Sequence, residues 1–219
     1  MDLLWIKTNA FIKAIFFRYT WSIPVSGTNK PVYLTFDDGP TPEITNWVCD
    51  QLKAYNAKAT FFCIGNNIEK NPQLFDRLIA EKHTIGNHTY SHRKGWQTPT
   101  SIYLEEVLKT EEIIRERLGL YNAHSLQKLF RPPYGKIKFS QSSKIRKAGY
   151  KIIMWDVLSV DYDRTTTPEK CLQNVLQNVA PGSIIVFHDS IKAFKNLEYV
   201  LPETLKFLKE NNYEMLEIG

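Results

Sequence analysis

Cysteine is scarce in this 219-residue chain, with only Cys49, Cys63 and Cys171. An odd number at wide spacing argues against a disulfide framework, and no C-x-x-C pair offers a thiolate metal site. Cys63, inside Ala59-Thr60-Phe61-Phe62-Cys63-Ile64, reads as a small core residue of a buried strand. Long apolar runs are absent too. The stretch 1–17 is apolar but broken by Asp2, Lys7 and Lys13, so no segment is long enough to span a bilayer. No small-residue cleavage site follows it, so a signal peptide is not expected and the expected location is cytoplasmic or peripheral to a membrane. Leu4, Phe11, Ile12 and Ile15 can share one helical face, suited to a membrane surface or, as expected here, to packing over one end of the domain. Dense Lys/Arg tracts and nucleic-acid motifs are missing, so the net charge of +5 describes a solvated surface with only a mild bias toward acidic partners.

What is present is an ordinary globular composition, 43% hydrophobic and 23% charged, of a length that suits one domain. Aromatics reach 13%, and many flank polar clusters, where they serve either the core or a substrate-lining surface. Strand patterns fall at 32–36, 59–64, 83–87, 128–131, 150–156, 183–187 and 213–218. Helical patterns fit between them at 43–55, 72–81, 101–118, 140–147, 168–178 and 197–209, with Pro168 in a first turn capped by Thr167. Repeated strand-helix-strand order gives an α/β fold on a parallel sheet, either closed as a barrel or open and doubly wound. A barrel of about seven parallel strands is favoured, because polar clusters follow most of the strands and closure lets them converge at one mouth. No internal repeat, low-complexity tract or long linker appears. The expected division is an N-terminal helix or extension over 1–30, packed on a catalytic domain over 31–219.

Four clusters carry the chemistry: Thr35-Phe36-Asp37-Asp38-Gly39-Pro40, His88-Thr89-Tyr90-Ser91-His92, Arg131-Pro132-Pro133-Tyr134-Gly135 and Val186-Phe187-His188-Asp189. Adjacent carboxylates at a strand end that turns at Gly39-Pro40 can take different tasks, one ligating a metal and the other facing a reacting water. His88 and His92 stand four apart, which on a helical turn places both imidazoles on one face. With only five histidines in the chain, two at this spacing and His188 ending another apolar strand form a constellation. One carboxylate and two imidazoles suit zinc, cobalt, nickel or iron with positions open for water and substrate. Two prolines stiffen the segment after Arg131, and a fixed guanidinium near an Asp favours its ionised form. His188 can act as a general acid if a partner holds one ring nitrogen, and Asp161 is a candidate for that partner.

Together these clusters resemble the polysaccharide deacetylases, carbohydrate esterase family four, whose members include chitin, chitooligosaccharide and peptidoglycan N-deacetylases. T-F-D-D-G-P, H-x-x-x-H and R-P-P-Y-G occur in the family's order, and the match runs from about Val32 onward. The resemblance implies an irregular (β/α) barrel. It implies Asp38, His88 and His92 as ligands of one divalent metal, zinc above the other suited ions, and Asp37 as general base oriented by Arg131. It implies that the Tyr134 backbone N–H helps hold an oxyanion, that His188 is the general acid and that Asp161 tunes it. Val186 falls where the family sets an apolar residue against the acetyl methyl, and Trp155, Leu158 and Tyr162 join Tyr134 as expected substrate contacts. One motif departs: where the family commonly reads D-x-x-D-W, this chain has Leu158-Ser159-Val160-Asp161-Tyr162. The departure bears on the pocket wall and substrate choice.

The expected activity is metal-dependent hydrolysis of N-acetyl groups on an amino sugar in an oligo- or polysaccharide. A small non-sugar amide, an O-acetyl ester and a catalytically inactive glycan-binding module are the alternatives, since fold and metal do not choose the substrate. The expected partner is an acetylated glycan and not nucleic acid.

Overall fold

Strand β1 (Pro31–Asp37) is the axis of the molecule. The computed structural model describes residues 6–120 and 127–219. Val32, Leu34 and Phe36 are fully buried and join an outer core with the helices, while Tyr33 joins an inner cluster and Thr35 and Asp37 reach Arg131. This is the period of two that a strand imposes. Its neighbours are β2 (Thr60–Cys63) and β7 (Ile184–His188), followed outward by β3 (Thr84–Asn87), β4 (Leu129–Phe130) and β5 (Lys151–Ile152) on one side and β6 (Val157–Leu158) on the other. All pairings are parallel and run in the order β5-β4-β3-β2-β1-β7-β6, while β8 (Glu214–Leu216) pairs with the start of β1. The expected irregular α/β barrel of seven parallel strands is what forms, with an eighth short strand beside β1.

Helices wrap the outside. Helix α1 (Ala10–Ile15) belongs to the N-terminal extension; α2 (Ile44–Ala54), α3 (Gly65–Lys70), α4 (Pro72–Ala80), α5 (Thr100–Leu120), α6 (Phe139–Lys147), α7 (Pro168–Leu176) and α8 (Phe194–Glu210) connect the strands. The buried face of α8, Leu197, Val200, Leu201, Thr204, Leu205 and Leu208, has the 3–4 spacing of an amphipathic helix. Each such leucine removed from water contributes about 1.5–3 kcal/mol. Thr167 accepts the Lys170 N–H at the start of α7, with Pro168 at its first position, as the sequence predicts.

Two expectations need correction. The stretch 150–156 is not one strand: pairing stops after Ile152 and resumes at Val157, and Met154 instead supplies a carbonyl to Arg131. The segment before Pro72 holds an additional short helix, α3, whose Asn71 cap leads directly into α4.

β5 and β6 end the strand path without pairing to each other, and the N-terminal extension lies in the seam between them. Thr20 N–H donates to Ile152 (2.8 Å) and Met154 N–H to Thr20 (2.7 Å). Thr8 N–H donates to Asp156 (2.9 Å) and Leu158 N–H to Ile6 (2.9 Å). Open sheet edges are thereby covered. Lys7 (2.5 Å) and Lys13 (2.6 Å) both reach the buried carboxylate of Asp156. Burial opposes ionisation of Asp156, but these ammonium groups and the Ser183 hydroxyl outweigh it and hold its pKa below the usual value. Helix α1 itself buries none of its residues. Of the expected apolar face, Phe11 and Ile15 are 71% and 51% exposed, and Leu4 lies outside the described residues.

Candidate active site

The register of the sheet brings the clusters together. Asp37 is the partner of His188 across β1 and β7, and the next inward position of β1, Thr35, anchors Arg131. Arg131 is fully buried and makes four hydrogen bonds: to Asp37 Oδ1 (2.7 Å), Thr35 Oγ1 (2.7 Å), Met154 O (2.8 Å) and Ile153 O (3.3 Å). Its guanidinium carbon lies 4.1 Å from the centre of the Phe62 ring. That ring fills the space over Gly86, where a Cβ would come within 2.4 Å of it. Burial alone would raise the Asp37 pKa; the charge and hydrogen bond of Arg131 outweigh it, so Asp37 is held below the usual carboxylate range.

Asp38 turns away from Asp37, at φ 82°, and faces the two histidines. His92 Nε2 lies 3.2 Å and His88 Nε2 3.7 Å from Asp38 Oδ1. The spacing of the pair does not come from a helix, as the i, i+4 reading expected. Residues 88–92 form a loop in which Thr89 (φ 64°) and His92 (φ 58°) take left-handed backbone. Asn87 Oδ1 accepts the Thr89 N–H at 2.9 Å, and Thr89 Oγ1 accepts the Arg93 N–H at 3.1 Å, which fixes the turn. Left-handed non-glycine backbone costs energy and persists where surrounding bonds hold it.

These residues fit a divalent metal. His88 Nδ1 is 2.7 Å from the Arg131 carbonyl oxygen, which only accepts, so the ring proton sits on Nδ1 and the Nε2 lone pair faces Asp38. Burial lowers both imidazole pKa values, that of His92 to about 4 with help from His88, so both rings are neutral donors near pH 7. Among the described residues, Asp38 Oδ1 is buried without a hydrogen-bond partner. The three ligand atoms lie within 4.8 Å of one another. Donors about 2.0–2.2 Å from one tetrahedral ion stand roughly 3.3–3.6 Å apart, close to the 3.2 and 3.7 Å that separate Asp38 from the two imidazoles.

Cys49, Glu81 and His83 form a second close group at the opposite end of the strands. There His83 Nδ1 accepts the Ala59 N–H (3.3 Å), which puts the ring proton on Nε2, and Arg77 holds Glu81 at 2.8 Å. A protonated Nε2 offers a metal no lone pair, so this group lacks the donor set of the first.

His188 faces the site from β7. Asp161 Oδ1 lies 2.8 Å from His188 Nδ1, and Oδ2 accepts the His188 backbone N–H at 2.8 Å. Burial alone would lower the imidazole pKa; the Asp161 charge and hydrogen bond outweigh it and raise it to about 9. The structure thus places Asp37–Arg131 and His188–Asp161 as two buried acid–base pairs beside the Asp38, His88 and His92 group.

Of the expected substrate contacts, Tyr134 is 58% exposed with its ring 4.5 Å from that of His92, and the Tyr162 ring is edge-on to His188 at 4.9 Å. Leu158 packs with Val160 and Val186, and Ile6, Trp155 and Tyr162 lie against that cluster. Leu158 is 6% exposed, so it backs the wall that Tyr162 faces.

Several supporting residues escaped the sequence reading. Buried Asp189 accepts the Gly39 N–H (3.0 Å) and the Thr45 hydroxyl (2.5 Å), and so fixes the turn that presents Asp38. A Cβ on Gly39 would come within 2.0 Å of that carboxylate. Asn67 donates to the Asp38 carbonyl (2.7 Å), and Asn196 donates to the carbonyls of Asp161, Asp163 and Thr166. Asp189 stood beside His188 as a legible signal; the two asparagines left none.

An irregular barrel of parallel strands with these residues at the carboxyl ends is the architecture expected of the polysaccharide deacetylase family. The family model of that description matches residues 25–153, and the chain belongs to the family. The matched segment holds Asp37, Asp38, His88, His92 and Arg131; Asp161 and His188 lie beyond it. A Bacillus cereus peptidoglycan-N-acetylglucosamine deacetylase is 38% identical over 173 residues, 79% of this chain and 61% of the relative. The chain thus spans about three fifths of that protein's length. A Bradyrhizobium chitooligosaccharide deacetylase is 35% identical over 165 residues, 75% of this chain and 73% of its own length. A solved peptidoglycan N-acetylglucosamine deacetylase superposes with a TM-score of 0.82 at 35% identity, over 93% of this chain and 92% of that one.

Proposed function

We propose that this protein hydrolyses the N-acetyl amide of an amino sugar in a peptidoglycan or chitooligosaccharide chain, releasing acetate and a free amine. The observation that carries this reading is a pair of buried ion pairs beside the candidate metal ligands, Arg131 on Asp37 Oδ1 at 2.7 Å and Asp161 on His188 Nδ1 at 2.8 Å, which push the two groups' pKa values in opposite directions. A base and an acid whose environments push their pKa values apart are the two groups amide hydrolysis needs.

Asp38, His88 and His92 would hold one divalent ion, for which zinc is our proposal and cobalt, nickel or iron suit the same donors. When bound, such an ion supplies Lewis acidity to the acetyl carbonyl and lowers the pKa of a coordinated water toward ~7. Asp37 takes the proton of the attacking water, using the oxygen not held by Arg131. Arg131 fixes that carboxylate and keeps it ionised. The Tyr134 backbone N–H donates to the developing oxyanion. His188, with Nδ1 held by Asp161, delivers the proton on Nε2 to the departing nitrogen, which leaves poorly without it. Val186 supplies the apolar wall for the acetyl methyl. Tyr162 and Tyr134 present ring faces to the sugar on either side.

The reading is tested by measuring acetate release from N-acetylated chitooligosaccharides and soluble peptidoglycan fragments. We expect activity that chelation abolishes and added zinc restores. Full activity in chelator, or no acetate from either substrate class in the zinc-loaded protein, contradicts it.

A further inference from the structure

The two imidazoles at the rims of the site are flanked by the same arrangement. On one side, the Tyr134 ring lies 4.5 Å from the His92 ring, and Lys94 Nζ stands 5.5 Å from the Tyr134 centroid. On the other side, the Tyr162 ring lies 4.9 Å from the His188 ring, and Lys192 Nζ stands 5.5 Å from the Tyr162 centroid. The order ammonium, phenol ring, imidazole therefore occurs twice, once on each flank of Asp37 and Asp38.

Among the described residues, neither side chain makes a hydrogen bond or a close ion pair: Lys94 has its aromatic ring, and Lys192 has its ring and the longer-range field of Asp163. The other charges nearby are engaged. Arg93 Nε lies 3.6 Å from Glu106, and the Asp163 carboxylate is folded onto Thr165 and Thr166. An ammonium over a ring edge or face keeps N–H groups available for a second acceptor. A neutral sugar offers that ammonium only neutral oxygen acceptors against its desolvation, whereas a carboxylate offers a charge-assisted pair.

We propose that Lys94 and Lys192 bind carboxylates of the glycan on either side of the acetamide, so that the preferred substrate is the acid-bearing glycan of peptidoglycan over a neutral chitooligosaccharide. This rests on the deacetylase reading above and names the substrate class within it. The carboxylate has two sources in such a glycan, the lactyl group of the sugar and the attached peptide. Exposed pairs are screened by salt beyond about 8 Å at physiological ionic strength, so the preference is greatest at low salt.

The test uses the metal-loaded protein and five substrates: peptidoglycan strands with peptides, strands stripped of peptides, each of these with its carboxyl groups converted to amides, and a chitooligosaccharide of matched length. Acetate release gives kcat/KM for each. The wild type is expected to favour a carboxylated strand over its amidated form by about 10-fold at low salt, and this ratio should fade between about 50 and 500 mM salt. Lys94→Gln and Lys192→Gln should each reduce the ratio about 3-fold, and the double variant should bring it near unity. Lys94→Arg and Lys192→Arg should restore it. A preference on stripped strands assigns the carboxylate to the lactyl group; one that needs the peptides assigns it to the peptide. Equal wild-type rates on carboxylated and amidated strands both with and without peptides, or a preference that the double Gln variant leaves intact, overturns the inference while the deacetylase reading stands. Absence of acetate from all five substrates overturns that reading itself.

Discussion

His188 and Asp161 are joined twice, through the imidazole Nδ1 at 2.8 Å and through the backbone N–H at 2.8 Å, one to each carboxylate oxygen. The double attachment orients the ring as well as charging it. The folded pKa of about 9 stands above the ordinary histidine value near 6.5. The pair therefore stabilises the fold fully below about pH 6.5, and that contribution is lost as pH rises through about 9.

A rate–pH profile is expected to have an alkaline limb near pH 9 from loss of the His188 proton, and an acid limb below the usual carboxylate range from Asp37. Asp161→Asn removes the charge that raises the imidazole pKa, so its alkaline limb should move to lower pH and its turnover should fall on every substrate. An Asp161→Asn profile that overlays the wild type would assign the support of His188 to another group.

Arg131 is a buried cation whose one acidic hydrogen-bond partner among the described residues is Asp37. Arg131→Met leaves that carboxylate buried without its counter-charge, at a cost of about 3–5 kcal/mol. The same change removes the group that lowers the Asp37 pKa, so the acid limb should rise. Urea unfolding and the rate–pH profile measured on one preparation check both. An unshifted acid limb contradicts the assignment of Asp37 as the group Arg131 controls.

The barrel and its clusters were legible because both depend on short-range patterns. Apolar β-branched runs mark the strands, and parity along β1 and β7 sets Asp37 and His188 on the same face. The break between β5 and β6 was not legible. The stretch 150–156 has strand composition, yet the carbonyls of Ile153 and Met154 are turned to Arg131, a contact that no local pattern announces. The histidine spacing marks a pair of rings, but left-handed backbone at Thr89 and His92, not a helical turn, brings them together. Asn67 and Asn196 act on backbone carbonyls far away in sequence, which leaves no residue-type signature.

At the seam, Asp156 gathers Lys7, Lys13 and Ser183. Asp156→Ala should destabilise the protein by about 1–3 kcal/mol through lost charge-assisted hydrogen bonds. The two lysines regain water, which keeps the cost below that of a fully buried pair. Limited proteolysis should then cut first near α1. Unchanged cleavage kinetics and an unchanged urea midpoint would show that the extension is held by its backbone bonds alone.

The departures from the family pattern, Leu158 and Tyr162, are expected to act differently. Leu158→Asp places a carboxylate among Val160, Val186 and Ile6, so lost stability should accompany any change in substrate preference. Tyr162→Trp changes the ring beside His188 and should alter relative kcat/KM among glycans with little effect on the melting temperature. Equal stability of the two variants contradicts this division.

Asp37 and Asp38 are adjacent in sequence and assigned to different tasks, and that split is measured directly by metal content. Wild type, Asp37→Asn and Asp38→Asn are loaded with zinc, dialysed, and assayed for bound metal and acetate release. We expect Asp37→Asn to keep one ion per chain while turnover falls by roughly 10²–10⁴-fold, and Asp38→Asn to lose the ion and the activity together. Loss of metal in Asp37→Asn with normal retention in Asp38→Asn would reverse the assignment and contradict the site as built here.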